Sequence, residues 1–169
     1  MVERFDACLA FTLHEEGGYT NDQYDPGGAT NQGITLATFR AFRHDPVATV
    51  AELKNIGKPE VRAIYAVQYW HPPQCDKLPA GVDLMVFDMG VNSGPRRSAM
   101  ILQQVLGLNL VDGWVGPATL ARLATMKGAD VVHELSLRQK LFYQSLDGFN
   151  RYGDGWLARL GRRTHLALG

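Results

Sequence analysis

The chain has 169 residues, 17 Lys+Arg against 17 Asp+Glu, 46% hydrophobic residues and two cysteines. That length suits one domain, or one domain with a small C-terminal subdomain, and buries a core without staples. It excludes a spanning helix, because no apolar run reaches about 18 residues, and a secretory signal, because Glu3, Arg4 and Asp6 interrupt the N-terminal apolar residues. Charge is balanced overall but not along the chain. Residues 1–95 carry 7 basic against 12 acidic residues, a net −5, and residues 96–169 carry 10 against 5, a net +5. Such asymmetry permits a basic face toward an anionic polymer, and it equally describes a solvated surface with uneven charge. No basic stripe with interleaved aromatics is present, so no nucleic-acid partner is expected. Cys8 lies on an expected helix and Cys75 in a Pro-rich loop, which points to reduced thiols.

Residues 2–16 carry Val2, Phe5, Leu9 and Leu13 on one narrow face at about 100° per residue, the signature of a helix. Glu16 projects within roughly 20° of Phe5 and Leu9, so it continues the apolar stripe; Glu15 projects about 100° away and is expected to be more exposed. Gly17-Gly18 ends the helix, since Gly takes the left-handed C-terminal conformation without steric cost. Residues 19–35 are rich in Gly, Pro, Asn, Asp and Thr and describe loops with short hairpin strands, Asp25-Pro26-Gly27-Gly28 being a turn signal.

Helix dominates from there on. Leu36–Phe42 is expected with Thr35 as N-cap, then Val47–Asn55 ended by Gly57, then Pro59–Trp70 stopped by His71-Pro72-Pro73. Gln74–Pro79 is a loop, Val82–Val91 a compact apolar helix, and Gly94-Pro95 a break before Arg96–Leu106. A loop over Gly107–Gly116 precedes helices over Pro117–Met126, Asp130–Leu146 (the longest expected) and Gly155–Leu166. The fold class is mainly α, with one small β-hairpin beside the first helix.

The chemistry concentrates after that first helix. Cleaving a glycosidic bond needs a carboxylic acid still protonated near neutral pH, and a second group to stabilise the oxocarbenium-like state or place water. A Glu on an apolar helix face beside a Gly-flanked turn has its protonated form favoured by desolvation. Glu16 meets that description, and Asp25 and Thr30 on the following segment are polar groups able to face it. The bland readings are a helix-end capping Glu and a turn-forming Asp before Pro-Gly. On residues alone the two stand level.

A resemblance separates them. Glu16-Gly17-Gly18-Tyr19 followed by Asp25-Pro26-Gly27-Gly28-Ala29-Thr30-Asn31-Gln32-Gly33-Ile34-Thr35 resembles the signature of the glycoside hydrolase family 108 lysozymes, which are phage endolysins and bacterial muramidases. Ile64-Tyr65, Tyr69-Trp70, Leu78-Pro79-Ala80-Gly81 and Phe87-Asp88-Met89-Gly90-Val91-Asn92-Ser93-Gly94-Pro95 follow the same pattern. Leu102-Gln103, Leu106-Gly107, Asp112-Gly113-Trp114-Val115-Gly116-Pro117-Ala118-Thr119-Leu120 and Gly155-Trp156 are similar to the peptidoglycan-binding region that accompanies this domain. The resemblance covers nearly the whole chain. It implies a lysozyme-like fold, with residues 1–94 as catalytic region and 95–169 as a helical peptidoglycan-binding-like region packed with it.

The resemblance also implies hydrolysis of the β-1,4 bond between N-acetylmuramic acid and N-acetylglucosamine, with Glu16 as general acid. The better-known phage lysozymes use a Glu-Asp-Thr triad, and Asp25 stands nine residues after Glu16 as their Asp does. Their Thr comes six residues after the Asp, whereas Thr30 comes five after Asp25, so Thr30 departs from that pattern. Substrate contacts are expected from Tyr19, Tyr24 and Trp70 as sugar-stacking faces, and from Asp88, Asn92 and Ser93 on a cleft floor. Asn92-Ser93 equally reads as a plain helix end, Tyr65 and Tyr69 as core residues, and Trp114 and Trp156 as core or subdomain contacts. A buried Asp88 needs a partner.

The five scattered histidines show no ligand spacing, so no metal and no cofactor is expected. The expected partner is the peptidoglycan glycan strand, met by a monomer made in the bacterial cytoplasm without a recognisable signal peptide and acting on the wall in the periplasm. Two alternatives stay open. A lytic transglycosylase would use Glu16 similarly and leave a 1,6-anhydro product; a non-catalytic peptidoglycan-binding or secretion-accessory module would be indifferent to Glu16.

Overall fold

The structure, a computed structural model, describes residues 2–16, 19 and 28–169. Among the described residues it is mainly helical, with one two-stranded antiparallel sheet, as expected for a lysozyme-like chain. The chain divides into two compact units, Met1–Cys8 with Gln68–Gly169, and Leu9–Val67.

Helix α1 (Val2–Glu16) supplies its second half to the smaller unit. Strands β1 (Thr30–Asn31) and β2 (Ile34–Thr35) pair with Asn31 opposite Ile34 and Thr30 opposite Thr35. The two residues between them, Gln32 (φ 50°) and Gly33 (φ 74°), both lie in the left-handed region. That is the backbone of a type I′ turn, whose twist matches the strands it joins. Helix α2 (Leu36–Arg43) begins where expected, because the Thr35 hydroxyl accepts from Thr38 N–H at 3.2 Å. Helix α3 is shorter than expected, Val50–Lys54 instead of Val47–Asn55. Asp45 holds Val47 in a turn through its N–H (3.1 Å), and Thr49 and Glu52 close a reciprocal capping box that sets the start. The Asn31 side chain, buried in the hairpin, donates to the Leu53 and Lys54 carbonyls at 3.0 and 3.1 Å. It thereby ties the sheet to the carbonyl end of α3. Helix α4 (Lys58–Tyr65), with Pro59 in its first turn, buries Val61, Ile64 and Tyr65. The expected helix to Trp70 is continuous, but its last five residues, Ala66–Trp70, form a π-helical turn.

The larger unit is organised on helix α5 (Val82–Ser93), in which every residue from Val82 to Gly90 is buried. A helix buried on every side belongs in a core, and its two charged residues, Asp83 and Asp88, are paired there with arginines. It packs against α6 (Pro95–Val105), α8 (Gly128–Gln144) and α9 (Phe149–Leu168), and the short helix α7 (Pro117–Leu123) completes the set. The last helix begins at Phe149, six residues before the expected Gly155, and at 20 residues it is longer than α8 at 17. Gly153 is tolerated inside it because the Phe149 ring occupies the space where a side chain would stand. Below α5, Phe5, Trp70 and Phe87 form an aromatic triangle with centroids 5.0–5.8 Å apart.

Arg4 bridges the Leu78 carbonyl (2.7 Å) and the Asp83 carboxylate (2.8 Å). Burial pushes the Asp83 carboxyl above the ordinary carboxylate range, and the Arg4 guanidinium opposes that. Cys8 and Cys75 are both free and buried, and burial raises both thiols well above the usual range. Since the thiolate is the reacting species, neither cysteine should label with a maleimide or disulfide reagent at pH 8 while the protein is folded, and both should label in denaturant. Labelling read by intact mass checks this. No described helix is long and apolar enough to cross a membrane.

Candidate active site

Glu16 is the last residue of α1, and the type I′ turn of the hairpin lies against its side chain. A Cβ added at Gly33 would stand 3.1 Å from Glu16 Oε2 and 3.2 Å from Glu16 Cγ, and would collide with the Tyr65 hydroxyl. The carboxylate, the turn and the Tyr65 hydroxyl therefore converge on one point. Tyr65 donates that hydroxyl to the Gln32 carbonyl at 2.8 Å, which fixes the turn from the side of α4. Glu16 Oε1 is shielded from solvent and the residue as a whole is half-buried. Glu15 is half-buried too, so the helical projection does not separate the two glutamates by exposure. What separates them is the hairpin, which packs on Glu16.

Thr30 is half-buried on β1, its hydroxyl 3.4 Å from the Gly28 carbonyl. Tyr19 is half-buried with its ring under the Lys54 ammonium, 4.4 Å from the centroid. Its hydroxyl is buried, with no hydrogen-bond partner among the described residues. Tyr24 and Asp25 lie outside the described residues.

Gly33 gives this arrangement a test. Gly33→Ala places a Cβ into the Tyr65 hydroxyl and against Glu16 in a left-handed backbone, which costs about 1–2 kcal/mol for the conformation alone. It should lower both thermal stability and hydrolytic activity. Gly28→Ala, at φ 64° with nothing within 4 Å of its Cβ position, should carry the conformational cost only. Thermal melts and a sacculus-clearing assay on the two variants check the contrast.

The remaining expected residues belong to the other unit, and two of them are corrected. Trp70 is 1% exposed, packed between Phe5 and Phe87, with its indole N–H donating to Asp76 at 2.8 Å; it is a core residue and offers no face to a sugar. Asp88 is fully buried and accepts from Arg159 Nε and Nη2 (3.2 and 2.6 Å) and from Arg163 Nη1 (2.5 Å). Arg163, itself fully buried, also donates to Gln139 at 2.6 Å, and Gln139 donates to the Met85 carbonyl at 3.1 Å. Asp88 is thus the anion of a buried network, out of reach of substrate.

Asn92 is exposed and Ser93 half-buried at the end of α5. Both line a cavity of about 210 Å³ closed by Tyr143, Leu146, Trp156 and Arg159. The sequence reading did not single out Arg159, although Trp156, Arg159 and Arg163 stand at three- and four-residue spacing on one face of α9. Trp114, expected inside, is 61% exposed. Its ring lies on Gly116, and it borders a second, shallower cavity of about 270 Å³ with Leu110 and Asn109.

A helical chain with a carboxylate-ended first helix covered by a small hairpin belongs to a recognisable class, and comparison with known proteins names it. The sequence profile described as Glycosyl hydrolase 108 matches residues 9–94. Among solved structures, Brucella abortus SagA is similar at 37% identity over 99% of this chain and 95% of that one, with a TM-score of 0.88. No curated protein matches the chain. The class is the glycoside hydrolases of lysozyme type, enzymes that act on peptidoglycan. The chain belongs to the glycosyl hydrolase 108 family.

Proposed function

We propose that the chain is an endolysin-type muramidase that hydrolyses the β-1,4 bond between N-acetylmuramic acid and N-acetylglucosamine, with Glu16 as the general acid. The observation that carries this is the convergence of the Glu16 carboxylate, the Gly33 turn and the Tyr65 hydroxyl at the end of α1. A carboxyl group held at a helix end by a rigid turn is positioned to protonate a glycosidic oxygen. Asp25 and Thr30 then place water or stabilise charge on the sugar, and Tyr19 offers a substrate contact. Residues 1–94 carry the catalysis in this reading, and residues 95–169 hold the wall. The exposed Trp114 ring, backed by Gly116, supports that second part, because an aromatic face with one side free suits the apolar side of a sugar.

Digestion of purified sacculi followed by mass spectrometry of the soluble products tests the reading. Muropeptides with a reducing-end N-acetylmuramic acid are expected. 1,6-Anhydro ends would make the protein a lytic transglycosylase, and a reducing N-acetylglucosamine would place the cut on the other bond. Binding to sacculi with no soluble product would leave only a wall-binding module.

A further inference from the structure

A groove of the larger unit, between α6 and α8, has no part in the muramidase reading. It encloses about 260 Å³, and its walls include Arg97, Met100 and Gln104 from α6 and Arg138, Leu141 and Phe142 from α8. Each set stands at three- and four-residue spacing, so each occupies one face of its helix. Arg97 and Arg138 enter the groove from different helices, and neither has a carboxylate within ion-pair distance among the described residues. Glu134, one turn before Arg138, stands at the spacing of a helix ion pair, yet the Arg138 side chain lines the groove instead. The Arg97 guanidinium lies over the Phe142 ring, 5.5 Å from its centroid, so this cation rests on an apolar wall.

Charge around the groove is of one sign. Helix α6 carries Arg96 and Arg97 and no acid, and residues 135–146 carry Arg138 and Lys140 and no acid. Beside the groove α8 presents Leu137 and Leu141 to solvent, 52% and 51% exposed and one turn apart. In helical projection Lys140 flanks this leucine pair on one side and Arg138 on the other. A surface of this kind suits an occupant that is anionic and apolar at once. An acidic protein and an anionic lipid surface both have that chemistry, and area decides between them. A stable protein interface covers about 800 Å² on each partner around a packed apolar centre, of which two half-exposed leucines and a narrow groove supply little. A lipid surface asks for less: cations near an anionic leaflet, and a few apolar side chains at headgroup depth.

We propose that this face of α6 and α8 docks on a membrane surface rich in anionic phospholipid, with Arg97 and Arg138 taking a lipid phosphate and Leu137, Leu141 and Phe142 meeting the acyl boundary. Guanidinium groups suit phosphate oxygens because their planar fork donates two parallel hydrogen bonds. The contact is peripheral: no described helix is long and apolar enough to cross a membrane, and surface docking needs none. The proposal does not depend on which residue cleaves the glycan strand.

The test is flotation of the full chain with vesicles of phosphatidylcholine alone and of phosphatidylcholine mixed with phosphatidylglycerol. The chain should float with the anionic vesicles and stay behind with the neutral ones. Arg97→Gln and Arg138→Gln should each weaken partitioning about fivefold, the contribution of one basic residue near an anionic surface. Lys127→Gln removes the same charge three turns away along α8, beyond a Debye length at physiological salt, and should change partitioning by less than about twofold. Leu141→Gln leaves the charge alone and should weaken partitioning as well. All four replacements fall at exposed positions, so melting temperatures should stay close to wild type. Neither inorganic phosphate nor polyglutamate, at matched ionic strength, should release the chain from the vesicles. Equal binding to neutral vesicles, no binding to anionic ones, the same loss in Lys127→Gln as in Arg138→Gln, or an unaffected Leu141→Gln would each overturn the proposal. Release by polyglutamate would overturn it in favour of an acidic protein partner, and release by phosphate in favour of a simple anion site.

Discussion

Glu16→Gln is expected to slow sacculus hydrolysis by about 10²–10⁴-fold, the range that a positioned general acid contributes. Gln keeps the shape and polarity of the side chain but has no ionisable proton to deliver to the leaving oxygen. The Glu16 side chain is packed against the hairpin turn with little room to spare, so a near-isosteric replacement should leave the fold and its melting temperature close to wild type. Turbidity clearing with matched circular dichroism spectra measures both quantities. A folded Glu16→Gln protein with near-normal clearing would remove Glu16 from the chemistry. Asp25→Asn is the companion variant: a mild loss would recast Asp25 as a turn former, and a loss comparable to that of Glu16→Gln would make it a partner in the reaction.

The second large effect lies in the core. Asp88→Asn should destabilise the protein by about 3–5 kcal/mol, because it strips the carboxylate charge from the fully buried Arg163 guanidinium and from Arg159 beside it. The cost is that of uncompensated charge more than of a lost contact, and this makes a specific prediction for the double variant. Asp88→Asn combined with Arg163→Met should be less destabilised than the sum of the two single variants, since the apolar replacement removes the charge that Asp88→Asn leaves unpaired. Denaturant unfolding of the four proteins in the cycle checks it, and strict additivity would argue against a charge-driven network.

These two sites differ in how far the sequence exposes them. The end of α1 is partly legible because its helix is local: the apolar stripe runs up to Glu16, and short hairpin strands are expected after it, whereas the Gln32-Gly33 turn and the Tyr65 hydroxyl that meet Glu16 are not marked by any local pattern. The Thr35 cap and the Pro59 helix start are legible for the same reason. The Asp88 network is not. Its carboxylate and its arginines are 71 and 75 residues apart, and no local pattern joins an acid on one helix to bases on another. A buried Asp can be inferred to need a partner without the partner being named. Misjudged exposure has a similar origin. Trp70 sits at a helix end before two prolines, which reads as open, yet Phe5 and Phe87 arrive from distant parts of the chain to cover it. Trp114 has the opposite history: size and hydrophobicity suggest burial, but Gln103 pins the Gly113 N–H and the Trp114 carbonyl at 2.8 and 3.0 Å and leaves the ring outside. The early start of α9 is a case of packing overriding propensity. Gly153 and Gly155 weaken a helix in isolation, and the packing of α9 on α8 and α5 holds it.

The enclosure of α5 also matters while the protein is being made. Its covering helices α6, α8 and α9 are all encoded after it, and the last of them ends at Leu168, 75 residues beyond Ser93. At about 5–20 residues per second of synthesis, this helix, apolar over its buried stretch except at Asp83 and Asp88, emerges roughly 4–15 s before its final cover is available. During that interval the apolar residues of α5, which α6, α8 and α9 enclose in the finished fold, are open to a chaperone's groove.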